Sequence, residues 1–107
     1  MDTDNPYIYG RRHEQEFEWD ADKAEANLRK HRIAFEAARW VFEDDFAVEW
    51  PDVDLPYGEM RFVITGMVDG RLRRVAYTER NDRIRIISAR KATRHEQKEY
   101  YRSQVDE

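Results

Sequence analysis

The dipeptide Asp69-Gly70, set between two runs of β-forming residues, constrains the fold of this chain more than any other feature. The flanking runs, residues 60–68 and 71–79, are rich in β-branched and aromatic side chains. Asp-Gly between two such runs is typical of a two-residue type I′ turn, whose central residues both need positive φ. The sequence therefore predicts an antiparallel hairpin in the second half of the chain.

Two further strands extend this hairpin. The polar pair Asn81-Asp82 marks another tight turn, and arginine and isoleucine alternate in the run at 83–90 that follows. Residues 46–50 also read as a strand, and a loop with proline and glycine covers 51–58. We therefore expect a four-stranded antiparallel sheet.

Three helices are predicted around this sheet. Asp20 is a good N-cap for a helix over 21–30, and apolar residues at helical spacing predict a second helix over about 35–42. The pattern Thr93-Arg94-His95-Glu96 is a capping box that opens a helix over about 94–104. The predicted class is α+β, with two N-terminal helices and a C-terminal helix packed on one face of the sheet.

The chain of 107 residues suits one domain. Residues 17–19 form a short extended segment, so the predicted order is β-α-α-β-β-β-β-α over a domain at 17–104. Residues 1–16 have no clear period, and we expect a flexible extension there. Cysteine is absent, which excludes a disulfide framework and a thiol nucleophile. No apolar leader or membrane-spanning run is present, so we expect a cytoplasmic protein.

Charge is distributed unevenly along the chain. The net charge is −4, but residues 1–57 carry 7 Lys and Arg against 15 Asp and Glu, whereas residues 58–94 carry 10 against 4. On the strands, Arg83 and Arg85 share one face of the sheet, and an antiparallel meander places such rows side by side. Clustered guanidiniums need carboxylates or phosphates between them. Either the strand arginines form a solvated face paired with Glu59 and Glu79, or they bind an anion, and we favour the second interpretation for the cluster.

The three histidines, His13, His31 and His95, lack the spacing of metal ligands on one element, so we expect neither a metal site nor a cofactor. His31 lies in the predicted break between the first two helices. It is a candidate general acid or base, because the pKa of free histidine lies near neutral pH, and it is equally a candidate helix cap.

Several ordered blocks of the sequence resemble the BrnT toxin family. They are Phe17-Glu18-Trp19-Asp20 with Lys23, Asn27-Leu28-Arg29-Lys30-His31, Phe35-Glu36-Ala37-Ala38, Gly58-Glu59-x-Arg61, Tyr77-Thr78-Glu79-Arg80, and the run from Arg83 to Arg94 followed by Glu96 and Tyr100. The resemblance covers about residues 17–101. The chain departs from the family in the extension 1–16 and in Ala34, which stands where a capping serine is common and costs about 1 kcal/mol of helix stability.

The resemblance implies a RelE-like fold and a ribonuclease toxin of a type II toxin–antitoxin system. It further implies a BrnA-like antitoxin that neutralises the toxin, promoter DNA bound only through that antitoxin in an autorepressing complex, and inhibition of translation and growth. It leaves open whether a ribosome positions the RNA substrate.

Metal-independent RNA cleavage uses the 2′-OH of the substrate as nucleophile, with a base, an acid and cations that stabilise the charged phosphorus centre. The candidate catalytic residues are His31, Glu59, Arg61, Arg80 and Lys91, and the candidate RNA-binding residues are Lys30, Arg83, Arg85, Arg90 and Arg94. The sequence does not separate acid from base. The alternative functions are a nucleic-acid-binding module without chemistry and a protein-interaction module, and for each residue the alternative role is a salt bridge within the sheet.

Overall fold

The computed structural model describes residues 15–52 and 59–105. The elements, in chain order, are β1 Glu16–Glu18, α1 Ala21–His31, α2 Phe35–Ala38, a 3₁₀ segment Arg39–Glu43, β2 Val48–Asp52, β3 Arg61–Val68, β4 Arg71–Arg80, β5 Arg83–Lys91 and α3 Arg94–Val105. The predicted α+β class and order of elements are confirmed. The predicted flexibility of residues 1–16 falls almost wholly outside the described residues, as does most of the predicted loop at 51–58.

The sheet has five strands in the order β1-β5-β4-β3-β2, and it is mixed. The prediction of four antiparallel strands was wrong, because β1 pairs in parallel with β5 and adds an edge. In this register Glu16 lies beside Arg83 and Glu18 beside Arg85, so opposite charges accompany the pairing. The other three pairings are antiparallel.

Both predicted turns have the backbone that their residues favour. Asp69 and Gly70 have φ of 51° and 77°, and Asn81 and Asp82 have φ of 54° and 64°. Positive φ at both central residues is what a type I′ turn requires, and its twist matches that of the flanking strands. These turns fix the register of β3, β4 and β5.

α1 and α2 pack on one side of the sheet, which we call the helical face. The predicted second helix is only partly helical, because the α-helix ends at Ala38 and the chain continues as a 3₁₀ segment. Ala34 supplies no capping side chain, as expected, and the four-residue helix is short. The buried core includes Phe35, Val41, Ile64, Val75, Tyr77, Ile84, Ile86 and Ala89.

The buried side chain of Asn27 ties α1 to β5. Its amide donates to the carbonyl oxygens of Ala89 and Ile33, at 2.9 and 3.0 Å, and its oxygen accepts from the Ala89 amide at 3.1 Å. The side chain of Asn27 thus bonds the backbone N–H and C=O of Ala89 as a neighbouring strand would, and these buried hydrogen bonds fix α1 on the sheet.

α3 packs on the opposite side of the sheet, so the prediction that all helices share one face was also wrong. Leu72, Ala92 and Tyr100 form a second buried cluster. The physical reason is that β4 is apolar on both sides at this end, since Leu72 and Val75 lie three residues apart and face opposite sides. The Tyr100 hydroxyl donates to Asp44 at 2.6 Å, and this bond anchors α3 to the turn before β2.

A β-bulge in β5 changes the side on which its later residues lie. Ala76 pairs with Ser88 but Tyr77 pairs with Ile86, so Ile87 is the extra residue. Arg85 and Arg90 would face opposite sides in a regular strand, since they are five residues apart. The bulge instead brings both to the side away from α1.

Candidate functional site

The side of the sheet opposite α1 and α2 carries most of the strand arginines, and we call it the arginine face. Direct pairing of Thr78 with Arg85, of Arg80 with Arg83, and of Arg74 with Arg90 shows that these residues share it. α3 covers only the end of this face near Leu72. The arginine face comprises Arg61, Arg74, Arg80, Arg83, Arg85 and Arg90.

Glu59 lies between two guanidiniums on this face. Its carboxylate accepts from Arg80 Nη2 at 2.9 Å and lies 4.0 Å from Arg61 Nε. The hydrogen bond from Arg80 lowers the pKa of Glu59, and the carboxylate in turn raises the pKa of Arg80. Glu59 is therefore ionised at neutral pH.

Two carboxylates of β1 neutralise the next pair of arginines. Arg83 Nε donates to Glu16 at 3.0 Å, and Arg85 Nη1 donates to Glu18 at 3.0 Å. Sequence reasoning missed these partners and expected Glu79 instead, which pairs with Ile84 on the helical face. The alternation of Glu16, Phe17 and Glu18 was the available sign, because a strand of period two places both glutamates on one side.

Glu96 of α3 holds the remaining two arginines. Its carboxylate accepts two bonds from Arg90, at 2.9 and 2.8 Å, and lies 3.2 Å from Arg74 Nε. It also closes the predicted capping box, accepting from the Thr93 amide at 2.8 Å while Thr93 accepts from the Glu96 amide at 3.2 Å. Burial alone would raise the pKa of Glu96, but the bonds from Arg90 and Thr93 lower it to about 2.

Arg74 lies beside Glu96 and was not predicted from the sequence as a site residue. Arg74 donates to Thr65 at 3.3 Å, and its guanidinium lies 5.7 Å from the ring centre of Trp50. Because Arg74 and Arg90 are both held by Glu96, this part of the arginine face attaches α3 to the sheet, and we call the opposite end of the face its open end.

The structure brings together five of the predicted site residues at that open end: Glu59, Arg61, Arg80, Arg83 and Arg85. It does not bring the other five there. Lys30 and His31 end α1 on the helical face, Lys91 lies at the Gly70 end of the sheet, and Arg90 and Arg94 lie at the start of α3.

The open end suits a phosphate group. Four guanidiniums of two adjacent hairpins lie there with the carboxylates of Glu16, Glu18 and Glu59, and each of these side chains is partly accessible to solvent. Within residues 15–52 and 59–105, no three histidine, aspartate or glutamate side chains are grouped to hold a metal ion. No helix in the same part of the chain is long and apolar enough to cross a membrane.

Comparison with protein families gives one match. The profile described as a ribonuclease toxin, BrnT, of type II toxin–antitoxin systems matches residues 19–96. Comparison with curated proteins gave no match. The matched span contains β2 to β5 and the open end of the arginine face from Glu59 to Arg85, but neither Glu16 and Glu18 nor the greater part of α3.

Proposed function

The chain belongs to the BrnT family of ribonuclease toxins of type II toxin–antitoxin systems, and we propose that the open end of the arginine face is the surface on which it cleaves RNA. The observation that supports this proposal is that Arg61, Arg80, Arg83 and Arg85 lie together on one part of the sheet, each within 4.0 Å of a carboxylate oxygen. Carboxylate and phosphate accept from guanidinium in the same bidentate manner. A phosphodiester can therefore replace Glu16, Glu18 or Glu59 at these cations.

The proposed reaction is internal transesterification. The 2′-oxygen attacks the adjacent phosphorus, its proton passes to Glu59, and the bond from phosphorus to the 5′-oxygen breaks as that oxygen takes a proton. The products are a 2′,3′-cyclic phosphate and a 5′-hydroxyl end. Arg61 and Arg80 stabilise the extra negative charge that develops on the phosphate oxygens.

The geometry couples substrate binding to the basicity of Glu59. In the free protein the bond from Arg80 is the largest cause of the lowered pKa of Glu59. When Arg80 binds the scissile phosphate instead, Glu59 loses that bond and its pKa rises, which makes it a better proton acceptor. Binding of RNA thus raises the pKa of Glu59, the base in the proposed reaction.

The 5′-oxygen that leaves the phosphorus also needs a proton. The sequence predicted His31 as a base or acid, Lys91 as a phosphate clamp or proton donor, and Lys30 and Arg94 as RNA-binding residues, and all four lie away from Glu59. A group that protonates the 5′-oxygen must lie within hydrogen-bond distance of it, so we propose that water supplies this proton and that these four residues contact other parts of the RNA. Single alanine variants at Lys91 and His31, assayed for cleavage rate, test this assignment.

We also propose the partners that the family implies. A BrnA-like antitoxin binds the chain, neutralises it in the cytoplasm, and supplies the promoter contacts of an autorepressing complex. RNA is the substrate, and a ribosome that presents the mRNA would compensate for a site without an acid beside its base. Cleavage of messenger RNA would inhibit translation and growth.

The test is expression of the chain from an inducible promoter, with and without its antitoxin, followed by growth and RNA integrity. Wild-type chain should arrest growth and fragment RNA, the antitoxin should relieve both effects, and Arg80→Ala should abolish fragmentation. Lys23→Ala is the matched control, because it removes one exposed cation from α1. Cleavage by purified protein that persists in excess EDTA would support metal independence.

Two outcomes would contradict the proposal. RNA that is bound but never cut, with or without ribosomes, would indicate a nucleic-acid-binding module. Full toxicity of both Arg80→Ala and Glu59→Gln would show that the reaction takes place elsewhere on the molecule.

A further inference from the structure

A second set of cations lies away from the open end of the arginine face. Arg94, Lys98 and Arg102 follow one another at intervals of four residues along α3. An α-helix rises 1.5 Å per residue, so their Cα atoms form a row with steps of about 6 Å. Arg71 and Lys91 belong by register to the helical side of the sheet, but at its Gly70 end they line one groove with Gln97 and Tyr101 of α3. We call these five residues the α3 basic strip.

The strip differs from the arginine face in its ion pairs. Each arginine of the arginine face lies within 4.0 Å of a carboxylate oxygen. Within residues 15–52 and 59–105, no carboxylate lies within that distance of any cation of the strip, and the nearby Glu99 pairs with His95 instead. Unneutralised cations in a row create a positive potential that attracts an anion from outside the chain.

An exposed aromatic ring lies within the strip. Tyr101 is 52% exposed and lines two shallow grooves, one with Lys91 and Arg71 and the other with Arg94, Lys98 and Arg102. Its ring meets the buried ring of Tyr100 edge-on, with centroids 5.2 Å apart and an angle of 83°. Contact with Tyr100 thus holds the ring of Tyr101, which forms an exposed aromatic platform with cations on both sides.

We propose that the α3 basic strip is a second RNA-binding surface, which holds the phosphate backbone of single-stranded RNA while Tyr101 stacks on a base. A linear row of cations fits a linear polyanion better than a single terminal phosphate. The combination of a backbone-tracking positive groove with an exposed aromatic ring is how proteins bind single strands without sequence preference. An acidic protein segment would use the cations but gain little from the exposed ring.

This inference rests on the proposed function only for the choice of RNA as the ligand. A strand held on α3 would be anchored away from Glu59, so the strip supplies affinity and the open end of the arginine face supplies chemistry. Lys91 and Arg94, predicted from the sequence as part of one site, belong to this second surface by position.

The test measures binding of a 12-nucleotide 2′-O-methyl oligouridine, which lacks the nucleophile and stays intact, at several salt concentrations. The double variant Lys98→Ala/Arg102→Ala removes two cations of the strip that have no role in the proposed reaction. The matched control is Lys23→Ala/Arg29→Ala, which removes two exposed cations from α1. Each lost phosphate contact on a single strand flattens the slope of log K against log salt concentration by about 0.7, so the expected change is about 1.4. The corresponding loss of affinity at 0.1 M salt is roughly 25-fold, and the control should stay close to wild type.

Tyr101→Leu tests the platform separately. Loss of a stacked base should weaken binding by about fivefold or more without a change in the salt slope. Slopes and affinities equal to the control would overturn the inference. So would a double variant that binds the oligonucleotide normally but loses affinity for the antitoxin, because that result assigns the strip to an acidic protein partner. Normal binding through α3 by a chain that never cuts RNA would overturn only the proposed ribonuclease reaction.

Discussion

Neutralising Glu96 should destabilise the fold by an amount that depends on pH. The pKa of this carboxyl is about 2, against a reference value of 4.5, and its side chain is 12% exposed. A shift of this size corresponds to about 3 kcal/mol at neutral pH, since one pKa unit is about 1.4 kcal/mol. The substitution Glu96→Gln removes the charge but keeps an oxygen that can accept from the Thr93 amide, as capping boxes with glutamine do. It therefore isolates the charge-dependent part of the interaction with Arg74 and Arg90.

The sign of the pH effect follows from the direction of the shift. Because the folded-state pKa is lowered, the stabilisation is fully present above pH 4.5 and is lost as the pH falls toward 2. Urea unfolding of the free chain, followed by circular dichroism, should show Glu96→Gln less stable than wild type by about 2 to 3 kcal/mol at pH 7. The difference should shrink steadily below pH 4.5.

Glu99→Gln is the matched control on the same helix. Glu99 pairs with His95 at 3.2 Å, but the histidine side chain is 76% exposed, and exposed pairs contribute less than about 1 kcal/mol. The reasoning would be refuted if Glu96→Gln and Glu99→Gln had equal unfolding free energies at pH 7. It would also be refuted if the loss at Glu96 were the same at pH 7 and pH 3.

Three further predictions concern the core and the candidate site. A Cβ added at Gly66 would lie 3.0 Å from Val41 Cγ2 and from the Val41 carbonyl oxygen, so Gly66→Ala should cost about 1 to 3 kcal/mol of unfolding free energy, and an unchanged urea midpoint would contradict this packing. Asn27→Ala should cost at least about 2 kcal/mol in the same assay, because it strands two buried carbonyls and an amide, and a smaller loss would mean that water replaces the side chain. Arg80→Gln should raise the pKa of Glu59 measured by carboxyl NMR titration, since it removes the largest cause of the lowered value, and an unchanged titration would exclude the proposed coupling between substrate binding and base strength.

The sequence was enough to predict the elements whose backbone conformation depends on neighbouring residues alone. Asp69 and Gly70 both have positive φ, and the capping box of Thr93 and Glu96 forms with both reciprocal bonds. Each depends on residues no more than a few positions apart, so a single sequence contains all the information that the geometry needs.

Features that depend on distant parts of the chain were missed. β1 is only three residues long, and its place in the sheet rests on pairing with β5, 67 residues further on. The side on which α3 packs depends on which face of β4 is apolar near Leu72, and strict alternation does not reveal it. The alternation of Glu16, Phe17 and Glu18 covers only three residues, so it indicates a shared side for the glutamates but not the strand with which β1 pairs.

The candidate site was predicted in part for the same reason. Period-two alternation correctly grouped Arg83 with Arg85 and predicted Glu59 as a carboxylate partner on the sheet. His31 and Lys91 were added on the chemistry of their side chains alone, and the structure places them on other parts of the molecule. The chemistry of a side chain indicates which roles it can have, but the topology of the fold determines which side chains can contact the same substrate.

Ile87 is one extra residue in β5, and the number of residues between Arg85 and Arg90 decides whether a regular strand places them on the same side of the sheet. Deleting it would leave Arg85 and Arg90 four residues apart, so that a regular strand without a bulge would still place both on the arginine face. If Ile87 stayed but the strand became regular, Arg90 would instead turn towards α1 and the chain would lead α3 to the helical face. The side of the sheet on which α3 packs thus depends on the bulge and the spacing between Arg85 and Arg90 matching each other.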